Sequence, residues 1–179
     1  FHLPLIEIEP LETPSLAETL TKASHILFTS KTTVKLLIER VGVDLLKSKT
    51  LLSIGKVTTA HLKRWDLFPL TAEEETAEGL LHMLPQNTSH VAYPHSTLAR
   101  PVILKALESR PHTAIPLYTP RPRLPFTLDL QAIDELVFTS PSTVLAFEQL
   151  IGFLPTGKKI SAQGQVTQAA IDLLQLRAK

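Results

Sequence analysis

One eight-residue stretch occurs twice, and that duplication constrains the chain more than any other feature. Leu27-Phe28-Thr29-Ser30-Lys31-Thr32-Thr33-Val34 returns 110 residues later as Val137-Phe138-Thr139-Ser140-Pro141-Ser142-Thr143-Val144. A second pair follows at nearly the same spacing. Ser53-Ile54-Gly55-Lys56-Val57-Thr58-Thr59-Ala60 matches Ala162-Gln163-Gly164-Gln165-Val166-Thr167-Gln168-Ala169. Two signatures in one order mark an internal duplication, and two copies suit a pair of related domains rather than a solenoid.

Each copy reads as strand, helix, strand, helix. Ile26-Leu27-Phe28 is a short buried-strand run. Thr29 and Ser30 then offer hydroxyls to the free N–H groups of a first helical turn. Val34, Leu37, Ile38 and Val41 keep helical spacing, as do Val144, Phe147 and Ile151. In the second copy Pro141 suits an early helical position, where a missing N–H costs nothing. The glycine signatures repeat the plan, with Val166, Ala169, Ala170 and Leu173 as the expected apolar stripe of the last helix. Such units imply parallel strands joined by right-handed crossovers.

Composition narrows the function classes. At 44% hydrophobic residues the chain can build a core, and a net charge of +1 without a basic, aromatic-interleaved stripe argues against a nucleic-acid surface. The absence of cysteine removes disulfides, thiolate nucleophiles and cysteine metal sites. The seven histidines show no ligand spacing, and neither nucleotide-binding glycine motif is present. No apolar run is long enough to span a membrane.

Between the copies, Pro4-Leu5-Ile6-Glu7-Ile8-Glu9-Pro10 alternates apolar and acidic residues, as a half-exposed strand does. Residues 12–20 read as a helix. Thr71-Ala72-Glu73-Glu74 reads as a capping box opening a helix through Leu84, and Glu73-Glu74-Glu75 as its acidic first turn. Strands are expected at residues 90–94 and 113–119, with a helix over 101–110 between them. Arg121-Pro122-Arg123-Leu124-Pro125 is a proline-rich boundary. Asn87-Thr88-Ser89 is a formal glycosylation sequon, read as incidental.

The linker strand, both Phe-Thr-Ser signatures, both Gly-x-Val-Thr signatures and Ile115-Pro116-Leu117-Tyr118-Thr119 together resemble the uroporphyrinogen-III synthase family over nearly the whole chain. Each motif alone is weak, whereas the ordered set is specific. The resemblance implies two α/β domains, flavodoxin-like in strand order, joined by a two-stranded antiparallel linker, one inserted in the other. The expected boundaries are 1–10 for the first linker strand with a remnant of the discontinuous domain and 11–112 for the inserted domain. The return strand covers 113–120, and the discontinuous domain 121–179, which looks incomplete. Lys56 and Gln163 depart from the residues usual at their positions.

The resemblance further implies a cytoplasmic, monomeric lyase without metal or organic cofactor, acting in a cleft that closes on its substrate. That substrate is hydroxymethylbilane, a linear tetrapyrrole with eight carboxylates. It loses its terminal hydroxyl, inverts its last ring and closes to the macrocycle of haem biosynthesis. Helix N-termini suit such a polyanion, because free N–H groups bind carboxylates without presenting a strong nucleophile. Ser30, Lys31, Thr58, Ser140, Ser142 and Thr167 are therefore the expected substrate-binding residues, against the plainer reading of the hydroxyls as helix caps. Tyr118 is the expected catalytic residue, assisting hydroxyl departure, against that of a half-buried edge tyrosine. Arg100, Arg121, Arg123 and Lys56 are further cations able to meet carboxylates, or else solvated surface charge. A different class remains open: a non-catalytic two-domain protein that closes on a small anionic ligand.

Overall fold

A computed structural model describes residues 2–86, 89–123 and 128–177. The sequon and the proline-rich boundary lie partly outside these residues. Contacts divide the chain into two compact units, Pro10–Thr119 and Phe1–Glu9 with Pro120–Lys179.

The larger unit is built on a parallel sheet. Its strands are β2 (His25–Phe28), β3 (Thr50–Ser53), β4 (Leu70–Thr71), β5 (Val91–Ser96) and β6 (His112–Pro122). β1 (Ile6–Pro10) precedes them, and the full order is β1-β6-β5-β2-β3-β4. β2 pairs in parallel with β3 and with β5, β3 with β4, and β5 with β6. The helices are α1 (Leu16–Lys22), α2 (Lys31–Lys47), α3 (Lys56–Lys63), α4 (Ala77–His82) and α5 (Pro101–Leu107). Apolar residues fill both faces. Leu20, Ile26, Phe28, Leu37 and Leu46 are buried on one, and Leu27, Leu52, Leu80 and Tyr93 on the other. Burial on two faces is why β2 reads as a continuous apolar run.

The parallel strands, taken in chain order from β2, lie in space as third, second, first, fourth, fifth. The flavodoxin-like order is therefore not found. In that order the chain reverses after its second strand; here β4 extends the same side as β3, and α4 carries the chain back before β5 is laid down against β2. Local periodicity specifies elements, not which neighbours they choose.

Three boundaries also differ from expectation. α1 starts only at Leu16, after Pro14 and a left-handed Ser15 at φ 62°. α2 is interrupted at Gly42, φ 76°. α4 starts at Ala77 rather than directly after Thr71, because Thr76 is the residue whose hydroxyl accepts from Gly79 N–H. Residues 73–75 form an exposed bend ahead of that helix.

The smaller unit carries β7 (Glu135–Phe138) paired in parallel with β8 (Lys159–Ala162), together with α6 (Pro141–Ile151) and α7 (Gln165–Arg177). Phe138, Val144, Phe147, Ile171 and Leu174 form its core, with Phe138 and Phe147 edge to face at 5.4 Å. The expected α7 stripe is displaced. Val166 and Leu173 are 45% and 52% exposed, while Thr167, Ile171 and Leu174 face inward. Residues 167, 170, 171 and 174 keep the same helical spacing, and a threonine at its head disguised that stripe in the sequence. No helix among the described residues is long and apolar enough to cross a membrane.

Candidate functional site

The two Ser/Thr signatures fold alike because they solve one local problem, the change from an extended strand to a helix whose first N–H groups lack partners. Ser30 and Ser140 have nearly the same extended backbone, φ −153° and −160°, and accept from Thr33 and Thr143 N–H respectively. The second forms a reciprocal capping box with Thr143. The strand after each helix is tied in the same way, Ile54 N–H to Phe28 O at 2.9 Å and Gln163 N–H to Phe138 O at 2.8 Å.

In the larger unit this turn has a particular place. The chain leaves β2 toward β3 on one side and returns to β5 on the other. Ser30 thus stands at the carboxyl end of the strand where the order reverses, the position at which open α/β sheets bind ligands. β6 brings Tyr118 to the same edge, opposite Ser96 across an irregular step of the β5–β6 register. The Tyr118 hydroxyl lies 3.0 Å from Ser30 Oγ, and Ser30 Oγ is 3.0 Å from Thr33 Oγ1. Tyr118 is 6% exposed, more deeply buried than the half-buried edge ring that its plainer reading describes.

Two β5 residues at this edge escaped the sequence reading. Tyr93 is buried, and burial pushes its phenol pKa up, against the opposing pull of Thr29. Tyr93 stacks on His95 with ring centroids 4.9 Å apart. His95 Nδ1 lies 2.8 Å from Ser96 O. A carbonyl only accepts, so Nδ1 is the donor of this bond. The signal available was Tyr93-Pro94-His95 at the end of a strand, and proline there masked it as a terminus.

The other expected residues divide plainly. Lys31 is exposed at the first position of α2. Thr58 is 5% exposed at the start of α3. Ser140 and Ser142 are together, their Oγ atoms 3.0 Å apart. Thr167, 3% exposed, donates to Gln163 O at 3.3 Å. Among the remaining cations, Arg121 pairs with Glu9. Among the described residues no cluster of three or more His, Asp or Glu could hold a metal ion. None of these residues lines the groove of about 340 Å³ formed by α2 with His61, Arg64 and Trp65.

The family model described as uroporphyrinogen-III synthase HemD matches residues 1–179, the whole chain. The chain belongs to the uroporphyrinogen-III synthase family. It is thereby placed in a family of enzymes of tetrapyrrole and haem biosynthesis. A crystal structure of a mutant uroporphyrinogen III synthase from the extremely thermophilic bacterium Thermus thermophilus is similar, with a TM-score of 0.69 and 24% identity. That match covers 96% of this chain and 78% of the other. Uroporphyrinogen-III synthetase from Helicobacter pylori also has a TM-score of 0.69, at 20% identity, covering 99% of this chain and 82% of that one. At such identities the likeness concerns the synthase fold. A search of curated protein sequences finds no match.

Proposed function

We propose that the chain cyclises hydroxymethylbilane to uroporphyrinogen III, as a cofactor-free lyase, with loss of water and inversion of the terminal ring. The observation that carries this reading is the Tyr118–Ser30 hydrogen bond at the reversal point of a chain whose whole length matches the synthase model. In the proposed step the C–O bond of the hydroxymethyl group breaks. Tyr118 O–H gives its proton to the departing oxygen, which leaves as water, and the phenol is restored by the proton that the terminal pyrrole N–H gives up as the azafulvene forms. A phenol is a weak acid, so orientation matters more than acidity. Ser30 supplies orientation, since its own Oγ is fixed by the α2 cap.

Ser30, Lys31 and Thr58 in one unit, and Ser140, Ser142 and Thr167 in the other, are proposed to receive substrate carboxylates. Their support is position: each lies in the first turn of a helix or caps it, where N–H groups and the dipole favour anions. The decisive experiment supplies hydroxymethylbilane to the folded protein. The type III ring is expected in place of the symmetric type I ring that forms spontaneously. Type I product alone would favour the non-catalytic anion-binding alternative.

A further inference from the structure

The two copies of the signature use their capping threonines differently. Thr143 turns its hydroxyl to the backbone, where Oγ1 donates to Ser140 O at 2.7 Å and accepts from Ser140 N–H at 3.3 Å. It stands 3.5 Å from Ser140 Oγ. Thr33 Oγ1 instead lies 3.0 Å from Ser30 Oγ, its hydrogen-bond partner among the described residues. Thr33 is 0% exposed, so solvent does not satisfy its hydroxyl. The copy that departs from the backbone arrangement is the one that a tyrosine joins, with Tyr118 Oη 3.0 Å from Ser30 Oγ.

The direction of these bonds follows from the protons available. Ser30 Oγ carries one proton and two lone pairs. Thr33 N–H takes one lone pair, at 3.1 Å. One lone pair and one proton remain for Thr33 Oγ1 and Tyr118 Oη. If Ser30 donated to Thr33, the buried Thr33 proton would be left without an acceptor, and Tyr118 would spend its own proton on Ser30. If Thr33 donates to Ser30, the Ser30 proton goes to Tyr118 Oη and the Tyr118 proton is free to point elsewhere. The burial of Thr33 favours the second arrangement. We propose that Thr33 is a positioning residue for the cyclisation: its hydroxyl commits the Ser30 proton to the Tyr118 oxygen and so keeps the Tyr118 proton for the departing hydroxyl. The role of Tyr118 rests on the function proposed above. As its proton leaves, the Ser30 hydrogen bond meets the charge developing on the phenol oxygen, strengthened by the Thr33 hydroxyl behind it. Ser30 and Thr33 keep their own protons throughout.

The test joins kinetics to spectroscopy. Thr33→Val replaces the hydroxyl with a methyl group and should lower kcat for type III formation about 3- to 10-fold, with KM for hydroxymethylbilane held within about twofold. Thr33→Ser should recover most of that loss. In a Tyr118→Phe background Thr33→Val should lower kcat no further, because its effect passes through the phenol. A purely structural threonine would lower the melting temperature and reduce kcat equally in both backgrounds; that outcome, or full kcat in Thr33→Val, overturns the proposal. The protein has two tyrosines, so carbon-13 labelling gives two ring Cζ resonances, assigned by Tyr118→Phe. Thr33→Val should move that of Tyr118, and an unmoved resonance also counts against the proposal. Should Thr33→Val not fold, the unaltered protein decides: an NMR contact between the Ser30 hydroxyl proton and the Tyr118 ring is expected, and its absence overturns the direction of the bonds. A protein that makes only type I product yet shows the Cζ shift would remove the synthase reading, and with it the catalytic use, while upholding that direction. Type III product with neither kcat loss nor Cζ shift in Thr33→Val would remove Thr33 and keep the synthase reading.

Discussion

The hydroxyl of Tyr118, on β6, lies 3.0 Å from the hydroxyl of Ser30, the residue that caps α2. Eighty-eight residues separate them in the chain. Ser30 Oγ already accepts from Thr33 N–H, so it cannot swing freely, and the Tyr118 hydroxyl inherits that rigidity.

Tyr118→Phe should therefore lower kcat for type III formation by at least about tenfold. It should also cost about 0.5–1.5 kcal/mol of stability, because a paired hydroxyl is lost from a buried position. Ser30→Ala should lower kcat less and cost about 1 kcal/mol through the lost cap. A double-mutant cycle read by denaturant unfolding and by kcat should show coupling of the two residues. Full activity in Tyr118→Phe would remove the phenol from the mechanism.

The two signature glycines should respond differently to alanine. Gly55 has extended backbone, φ 179°, and only the flexible end of Glu75 obstructs a methyl group there. Gly164 has φ 96° in open space, where strain comes from the backbone itself. Gly164→Ala should cost about 1 kcal/mol in chemical denaturation. Gly55→Ala should cost less, and its effect should vanish in combination with Glu75→Ala.

The inward face of α7 can be checked by a pair of neighbouring leucines. Leu174 is 5% exposed and Leu173 is 52% exposed. Leu174→Ala should destabilise the chain by about 2–5 kcal/mol, and Leu173→Ala by less than about 0.5 kcal/mol. The reverse ranking in thermal melts would restore the stripe expected from the sequence.

His25 sets a pH dependence. Burial and the nearby Arg110 guanidinium lower its pKa below the ordinary value of about 6.5. The unfolded chain then binds more protons than the folded chain in the window below that value. Stability is fully present above pH 6.5 and is lost as the pH falls toward the lowered folded pKa. His25→Asn should flatten this part of a stability-against-pH curve measured by urea denaturation.

The sequence by itself determined the duplication, the alternation of strand and helix, the serine caps and the family. These depend on interactions within a few residues, such as Ser30 with Thr33, or on an order of motifs that no folding step rearranges. The strand order depended on which side of β2 each later strand joined, a choice settled by packing across the whole sheet. The buried face of α7 was ambiguous because two stripes kept helical spacing, and only contact with Phe138 and Phe147 selected Ile171 and Leu174. Tertiary structure likewise decided where Glu75 points. Its neighbours in sequence predicted the start of the next helix, whereas folding delivered its carboxylate to the first turn of α3, nineteen residues away, because that turn offered a free N–H and no side-chain cap of its own.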